Sequence, residues 1–337
     1  MASNRPRVLI THWVHASVSR FLRERFDVVA NTTRETWDRE RVAALARDCD
    51  AMMAFMPDTA NEAFLEQCPQ LRIIAAALKG PDNFDIAACT RHNVWFTLVP
   101  DLLTIPTAEL AVALLLGITR RVMEGDDHIR SGRFSGWRPE LYGTGVTGRT
   151  VGLIGMGAVA QAIAKRLVPF DVRILYTDPG VARLPDRIEA LQVDMETLLA
   201  ASHFVLPLTH LTPLTYHMIG TRALAQMKKG AFLVNVGRGS LVDEAAVAAS
   251  LASGQLAGYA ADVFEMEDWA VESRPREIHR GLLGDRRRTL FTPHLGSAVD
   301  EVREAIAMDA ARNIVEALEG QRPHGAVNEV PATAEMR

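Results

Sequence analysis

The sequence predicts an α/β protein with two doubly wound parallel sheets, and three observations lead to this prediction. First, 337 residues are more than one hydrophobic core usually supports, so two domains are expected. Second, short β-rich runs alternate with stretches that have helical spacing, which is typical of βαβ units and a parallel sheet. Third, this alternation occurs twice along the chain, with a long helical segment between the two series.

The first series contains five short β-rich runs separated by stretches patterned for helices, such as Arg39–Arg47 and Glu62–Gln67. The predicted strands are Val8–Thr11, Asp27–Ala30, Ala51–Ala54, Ile73–Ala76 and Val94–Phe96.

The segment between the two series, TIPTAELAVALLLGITRRVMEGDDHIRSG, predicts one long helix. Thr104 or Thr107 lies near its start and Gly132 lies just past its end, as expected of helix boundaries. Apolar residues cover most of the helix circumference, so the helix must be buried on all sides. We therefore expect a homodimer formed through residues 107–129, with burial between two domains of one chain as the alternative.

The second series begins at Thr150 and contains six predicted strands, which is enough for a second complete sheet. Their sequences are TVGLIGMG, VRILYTD, FVLPL, AFLVNV, GYAADV and LFTPH. A last helix is predicted at about Val299–Leu318, and we expect it to pack on the first domain. The prediction is a discontinuous domain of residues 1–99 and 297–337, with a second domain of residues 100–296 inserted into it.

Composition and charge exclude several classes of protein. The chain has 37 basic and 41 acidic side chains, whereas a nucleic-acid-binding protein would normally have a basic excess. Its longest apolar run, Leu110–Leu116, is too short to span a bilayer, and no secretory signal is evident. The three cysteines, Cys49, Cys68 and Cys89, form no CxxC motif. We therefore expect reduced thiols, no metal site and a cytoplasmic protein.

The strongest local motif is a glycine-rich turn between a strand and a helix. Gly155, Gly157 and Ala160 follow the GxGxxA pattern, which lets backbone N–H groups approach a pyrophosphate at the helix N-terminus. The next predicted strand ends in Asp178, and 178 − 157 = 21 is the spacing of a carboxylate that accepts hydrogen bonds from an adenosine ribose. That carboxylate would repel the 2′-phosphate of NADP. The motif therefore predicts NAD as the cofactor of a Rossmann-like domain.

Three polar residues follow three strands of the second series. Arg238 lies in the turn VGRGS, Glu267 lies after GYAADV, and His294 lies after LFTP, at spacings of 267 − 238 = 29 and 294 − 267 = 27. The carboxyl ends of parallel strands meet at one edge of a sheet, so the three side chains can face one site. A guanidinium that binds an anion, a histidine and a carboxylate that orients the histidine form a workable acid–base set.

These motifs identify the chain as similar, from end to end, to the D-2-hydroxyacid dehydrogenase family. The general hallmarks are the inserted nucleotide domain, NVGRG, ADVFEMED and TPHLG. Within the family the chain most resembles the phosphite dehydrogenases. The matching segments are AMMAFMPD, ALKG with DNFD, VPDLLTIPTAEL, SGRFSGWRPELYGTG, GYAADVFEMEDW and FTPHLGSAVDEVR.

The resemblance implies an activity and a set of site residues. The activity is NAD-dependent oxidation of phosphite to phosphate, by hydride transfer from phosphorus to the nicotinamide, in a cleft between a substrate-binding and an NAD-binding domain. The alternatives are a 2-hydroxyacid dehydrogenase that reduces glyoxylate or another small 2-keto acid, and an NAD-sensing binding protein without catalysis. The implied catalytic residues are Arg238, Glu267 and His294; the implied substrate-binding residues are Lys79, Arg303, Met56, Trp137 and Tyr142; the implied cofactor-binding residues are Thr107, Gly155, Gly157, Ala158, Val159, Asp178, Leu208, Thr209, His210, Val236, Gly237 and Asp262.

Overall fold

The structure, a computed structural model, describes residues 5–99, 101–181, 184–185, 187–269 and 271–331. The chain is divided into two compact units. Residues 1–103 and 298–337 form unit 1, and residues 104–297 form unit 2. Pro100, where the predicted second domain begins, lies outside the described residues.

Unit 1 begins with alternating strands and helices. They are β1 (Arg7–Ile10), α1 (Ala16–Arg23), β2 (Asp27–Ala30), α2 (Arg39–Ala46), β3 (Ala51–Ala54), α3 (Glu62–Gln67), β4 (Ile73–Ala76), α4 (Ile86–Arg91) and β5 (Trp95–Thr97).

Unit 2 follows, and the chain then returns to unit 1 through a final helix, α12. These elements are α5 (Thr104–Thr119), α6 (Val122–Arg130), β6 (Thr150–Ile154), α7 (Ala158–Leu167), β7 (Arg173–Thr177), β8 (Leu191–Gln192), α8 (Met195–Ala201), β9 (Phe204–Pro207), α9 (Thr221–Gln226), β10 (Ala231–Asn235), α10 (Glu244–Ala252), β11 (Leu256–Ala261), α11 (Arg280–Gly284), β12 (Thr289–Phe291) and α12 (Asp300–Leu318).

The sheet of unit 1 is parallel throughout, in the order β2-β1-β3-β4-β5. Successive side chains of a strand point to opposite faces, and here both faces are apolar. On one face Ile10 and Met53 pack with Ile306 and Ile314 of α12. On the other face Leu9 packs with residues of α2, α3 and α4. The sheet is therefore covered by helices on both sides.

The sheet of unit 2 is also parallel, in the order β12-β11-β10-β9-β6-β7-β8. Together the two sheets confirm the predicted fold class. The one strand that the sequence did not predict, β8, has two residues, both exposed at the sheet edge. Such a strand leaves no apolar pattern in the sequence, because its side chains do not contribute to the core.

The prediction of one helix over residues 107–129 is wrong, because two helices, α5 and α6, meet there. The break lies at Arg121, whose φ of 54° is left-handed, and whose guanidinium pairs with Glu124 at 2.6 Å. Neither glycine nor proline marks this break in the sequence, so the apolar pattern appears continuous. α5 packs into the core of unit 2 through residues such as Leu114 and Leu115, whereas no described residue of α6 is buried.

Two further properties concern the described residues as a whole. The three cysteines are buried free thiols. None of the helices that the structure describes is long and apolar enough to cross a membrane.

Candidate active site

The glycine turn after β6 has the geometry that a pyrophosphate requires. Gly155 has a φ of +97°, and a Cβ atom there would lie 2.8 Å from the carbonyl oxygen of Leu208, so only glycine fits. Gly157 is the N-cap of α7, and a Cβ atom there would meet nothing within 4 Å. The amino end of α7 therefore faces open space, where its N–H groups and the helix dipole would hold the phosphates of NAD.

Asp178 lies at the end of β7, as predicted, and it also supports the glycine turn. Its Oδ2 accepts a hydrogen bond from the Met156 N–H at 2.8 Å, and its Oδ1 accepts one from the Gly180 N–H at 2.8 Å. The side chain is half-buried beside the turn. Its contact with the adenosine ribose stays a prediction, but its position next to the phosphate turn fits that role.

Asp262, at the end of β11, organises the loop that carries His294. Its Oδ1 accepts hydrogen bonds from the Thr292 hydroxyl and the Leu295 N–H, both at 2.6 Å, and its Oδ2 accepts one from the Gly296 N–H at 2.8 Å. Its carbonyl oxygen accepts the His294 N–H at 2.8 Å. Burial raises the pKa of this carboxyl. Both carboxylate oxygens are thus engaged with the loop, a function that the sequence pattern did not reveal.

His294 and Glu267 form a hydrogen-bonded pair. His294 has a left-handed φ of 55°, which is uncommon for a residue other than glycine and persists where neighbouring bonds impose it. The distance from its Nδ1 to Glu267 Oε2 is 2.6 Å, and Glu267 Oε1 accepts the Phe264 N–H at 2.9 Å. Because Nδ1 faces a carboxylate, Nε2 is the ring nitrogen that can exchange a proton with a substrate.

Arg238 lies in the turn after β10 and next to the turn that carries Glu267. Its carbonyl oxygen accepts a hydrogen bond from Asn235 Nδ2 at 2.9 Å, and its Nη1 donates to the Gly237 carbonyl at 2.9 Å. A Cβ atom on Gly239 would lie 1.9 Å from the carbonyl carbon of Phe264. The two turns are therefore in backbone contact, and the fold of unit 2 brings together all three predicted catalytic residues.

The other predicted cofactor-binding residues follow the carboxyl ends of β6, β9, β10 and β11, or lie beside them. Thr107, in α5, adjoins the His294 loop, since its Oγ1 would lie 3.2 Å from a Cβ atom on Gly296. The remaining residues of this group are Ala158, Val159, Leu208, Thr209, His210, Val236 and Gly237.

Three of the predicted substrate-binding residues belong to unit 1. Met56 follows β3 and Lys79 follows β4, and Asn83 Nδ2 donates to the Met56 carbonyl at 2.8 Å, which ties the two loops together. Arg303, in α12, lies with its guanidinium carbon 5.9 Å from the centre of the Phe55 ring. Burial lowers the pKa of this guanidinium. The structure thus brings Met56, Lys79 and Arg303 to the carboxyl edge of the unit 1 sheet.

Trp137 and Tyr142 are not brought to the catalytic residues within unit 2. Their side chains are 83% and 71% exposed. Tyr142 lines a cavity of about 480 Å³ with Phe232 and Ala257, which lie at the amino ends of β10 and β11. The predicted catalytic residues follow the carboxyl ends of the strands, at the opposite edge of the sheet.

A doubly wound sheet with a dinucleotide turn and a histidine–carboxylate pair defines an NAD-dependent oxidoreductase. Residues 112–296 match the family model described as D-isomer specific 2-hydroxyacid dehydrogenase, NAD binding domain. The chain belongs to this family, and its unit 2 contains the family's NAD-binding domain.

Relatives with known names and structures cover nearly the whole chain. A glyoxylate reductase of Thermococcus litoralis is 35% identical over 96% of this chain and 97% of its own length. The TT0316 protein of Thermus thermophilus has a crystal structure with a TM-score of 0.87 and 32% identity, over 96% of this chain and 100% of that one. The NADPH-dependent glyoxylate/hydroxypyruvate reductase of Sinorhizobium meliloti, in complex with NADP and malonate, has a TM-score of 0.83 and 27% identity, over 98% and 99% of the two chains.

The position of Asp178 leads to a prediction about cofactor choice. Asp178→Ala should lower the preference for NAD over NADP by about tenfold, because the negative charge that opposes the 2′-phosphate is removed, a change of about 1.4 kcal/mol. Affinity for NAD should also fall, because the Met156 N–H loses its acceptor. Dissociation constants for both cofactors measure the effect. Asp194→Ala, which removes an exposed N-cap in the same unit, serves as the control, and an equal preference in the unmodified protein would contradict the premise.

Proposed function

We propose that the chain reduces a small 2-keto acid, with glyoxylate as the leading candidate, by hydride transfer from NADH. The observation that carries the proposal is the His294–Glu267 pair, with Nδ1 and Oε2 2.6 Å apart, beside the turn of Arg238. The names of the relatives, which include the glyoxylate reductase of Thermococcus litoralis, support the same class of substrate.

Arg238 binds the carboxylate of the substrate in this proposal. A guanidinium is permanently charged and offers two parallel N–H donors to the two carboxylate oxygens, which fixes the plane of the substrate. When bound at the turn of Gly155 and Gly157, NADH would supply the hydride that reduces the carbonyl carbon. The turn around Arg238 is held by the Asn235 side chain and by its contact with the Phe264 turn, so its position is set before the substrate binds.

His294 completes the reaction by moving one proton. As hydride reaches the carbonyl carbon, negative charge develops on the carbonyl oxygen, and His294 Nε2 donates a proton to it. Glu267 keeps the other ring nitrogen protonated and holds the ring in one orientation, so the proton is delivered from Nε2. In the oxidation direction the same nitrogen accepts the proton from the hydroxyl group.

Glyoxylate-dependent oxidation of NADH by the purified protein tests this proposal. His294→Ala should lower kcat by at least about 10²-fold, because the general acid is removed, and should leave the dissociation constant of NADH within about twofold. His324→Ala, which changes an exposed histidine of unit 1, serves as the control. A wild-type protein that turns over no 2-keto acid, or a His294→Ala variant with full activity, would refute the assignment.

Phosphite is a second candidate substrate, and Lys79 is the observation that favours it. Lys79 is half-buried, and the loop that carries it is tied to Met56 by the Asn83 side chain. A tetrahedral dianion has three oxygens and about twice the charge of a carboxylate, so it gains more from additional cations such as Lys79 and Arg303. Phosphite as a substrate is also supported by the resemblance of two segments, SGRFSGWRPELYGTG and GYAADVFEMEDW, to phosphite-oxidising relatives.

The chemistry of phosphite oxidation would use the same residues in different roles. NAD, when bound at the glycine turn, would accept the hydride released as the P–H bond breaks, and a water oxygen would form the new P–O bond of phosphate. His294 takes the proton from that water, and Arg238 neutralises the anion.

Lys79→Ala separates the two substrates. If phosphite is the substrate, its KM should rise by about 30-fold to 10³-fold, since a charge-assisted contact of about 2–4 kcal/mol is lost. Glyoxylate kinetics should change far less. Initial rates against both substrates give the answer, with Lys229→Ala, a change of an exposed lysine in unit 2, as the control. If the protein turns over glyoxylate well and phosphite not at all, and if Lys79→Ala keeps its activity, glyoxylate is the substrate.

We also propose a homodimer formed through the 107–129 region. Three large apolar side chains of α6 are more than half exposed in the single chain: Val122 at 55%, Met123 at 51% and Ile129 at 53%. A cluster of this kind is typical of a protein–protein interface.

Sedimentation at micromolar concentration tests the dimer. Met123→Glu should shift the protein towards the monomer, because a charge would be buried without a partner. Leu214→Glu, at a side chain that is 94% exposed, should not. A wild-type mass near 37.0 kDa would contradict the proposal.

A further inference from the structure

One short acidic turn contains Glu267 and contacts both His294 and the turn that carries Arg238. The turn comprises residues 264–268, with the sequence FEMED, and includes a 3-10 helix at Glu265–Glu267. It has three carboxylates in four residues, and each has a different partner. Glu267 binds His294, as described above, whereas Glu265 and Asp268 bind backbone N–H groups and have no part in the proposed chemistry.

Asp268 connects this turn to the turn of Arg238. Its Oδ2 accepts a hydrogen bond from the Ser240 N–H at 2.6 Å, and Ser240 is two residues after Arg238. The Asp268 side chain is buried and Ser240 is fully buried, so this bond lies out of contact with water. Burial raises the pKa of Asp268, and the hydrogen bond from the Ser240 N–H and the positive charge of Arg238 oppose that rise. Asp268 therefore joins the acidic turn to the turn of Arg238 through a buried hydrogen bond.

Glu265 anchors the same turn on α10 through a reciprocal pair with Glu244. Glu265 Oε1 accepts the Glu244 N–H at 2.9 Å, and Glu244 Oε1 accepts the Glu265 N–H at 3.1 Å. Glu265 Oε2 also lies 2.7 Å from His217 Nε2. The acidic turn thus has a fixed position, from which Asp268 can hold the neighbouring turn.

We propose that Asp268 is a positioning residue that sets the place of the Arg238 guanidinium by holding the backbone of Ser240. The inference rests on the proposed role of Arg238 in binding the substrate anion. Hydrogen bonds to an ionised acceptor are shorter and roughly twice as strong as neutral ones, and Ser240 is fully buried. When the carboxylate is removed, this buried donor is left unsatisfied, and the turn moves to find another acceptor. A shift of about 1 Å in Arg238 is enough to weaken its contact with a small anion.

Two substitutions of Asp268 test the inference, with glyoxylate as substrate in the presence of NADH and with phosphite as substrate in the presence of NAD. Asp268→Ala should raise the KM of the accepted substrate by about 10-fold to 100-fold, since the acceptor is lost. Asp268→Asn keeps the size and a neutral acceptor, so it should raise KM by about 3-fold to 10-fold. In both variants kcat should change less than KM, and the dissociation constant of NADH should stay within about twofold.

The control separates positioning from a general loss of stability. Asp50→Ala removes a carboxylate that accepts the Arg7 N–H at 2.7 Å in unit 1, so it also costs one backbone hydrogen bond. It should lower Tm without changing KM. A merely structural Asp268 would behave in the same way. If Asp268→Ala does not fold, Asp268→Asn decides, and a KM within twofold of wild type in that variant overturns the inference.

Failure of the proposed function can be told apart from failure of this inference. If the wild-type protein turns over neither substrate, the proposed function fails. The inference is then tested by calorimetric titration of the NAD-loaded protein with oxalate, a small dianion. Oxalate affinity that falls in the order wild type, Asp268→Asn, Asp268→Ala supports positioning of Arg238. Equal affinities in all three, or no binding to wild type, overturn it.

Discussion

The backbone contact between Gly239 and Phe264 is the constraint on which the candidate active site depends. A Cβ atom on Gly239 would lie 1.9 Å from the Phe264 carbonyl carbon, so no other residue allows the two turns to come so close. One turn carries Arg238 and the other carries Glu267. Because parallel strands β10 and β11 are neighbours, both turns leave the sheet at the same edge, and the missing side chain lets them join into one unit.

Buried carboxylates then hold the loops that the strands bring together. Asp262 fixes the His294 loop, Asp268 holds the Arg238 turn, and Glu265 anchors the acidic turn on α10. Loops at a strand edge have unpaired N–H groups, and a carboxylate satisfies them more strongly than a neutral acceptor does. Asp58 in unit 1 follows the same principle, since it accepts the Phe55 N–H at 2.7 Å and burial raises its pKa to about 6.

This arrangement separates the predicted catalytic residues from the residues that hold them in place. The proposed roles of His294 and Arg238 require backbones that are already fixed, because a small anion offers few contacts with which to order them. His294 is an example, since its left-handed φ of 55° is imposed by the hydrogen bonds of Asp262. The buried carboxylates fix these backbones within unit 2, so the NAD-binding domain by itself contains an ordered histidine–carboxylate pair.

The sequence by itself determined the periodic features of this protein. Alternating apolar runs predicted both parallel sheets, and the terminal helix was predicted at Val299–Leu318 and observed at Asp300–Leu318. The glycine turn and Asp178 predicted the nucleotide site, because binding a pyrophosphate and a ribose needs particular residues at a fixed spacing. Only the tertiary structure revealed the break at Arg121, the exposed position of Tyr142 and the bond between Asp268 and Ser240. These features depend on contacts between residues distant in the chain, or on a backbone angle that arginine adopts without any signal in its neighbours.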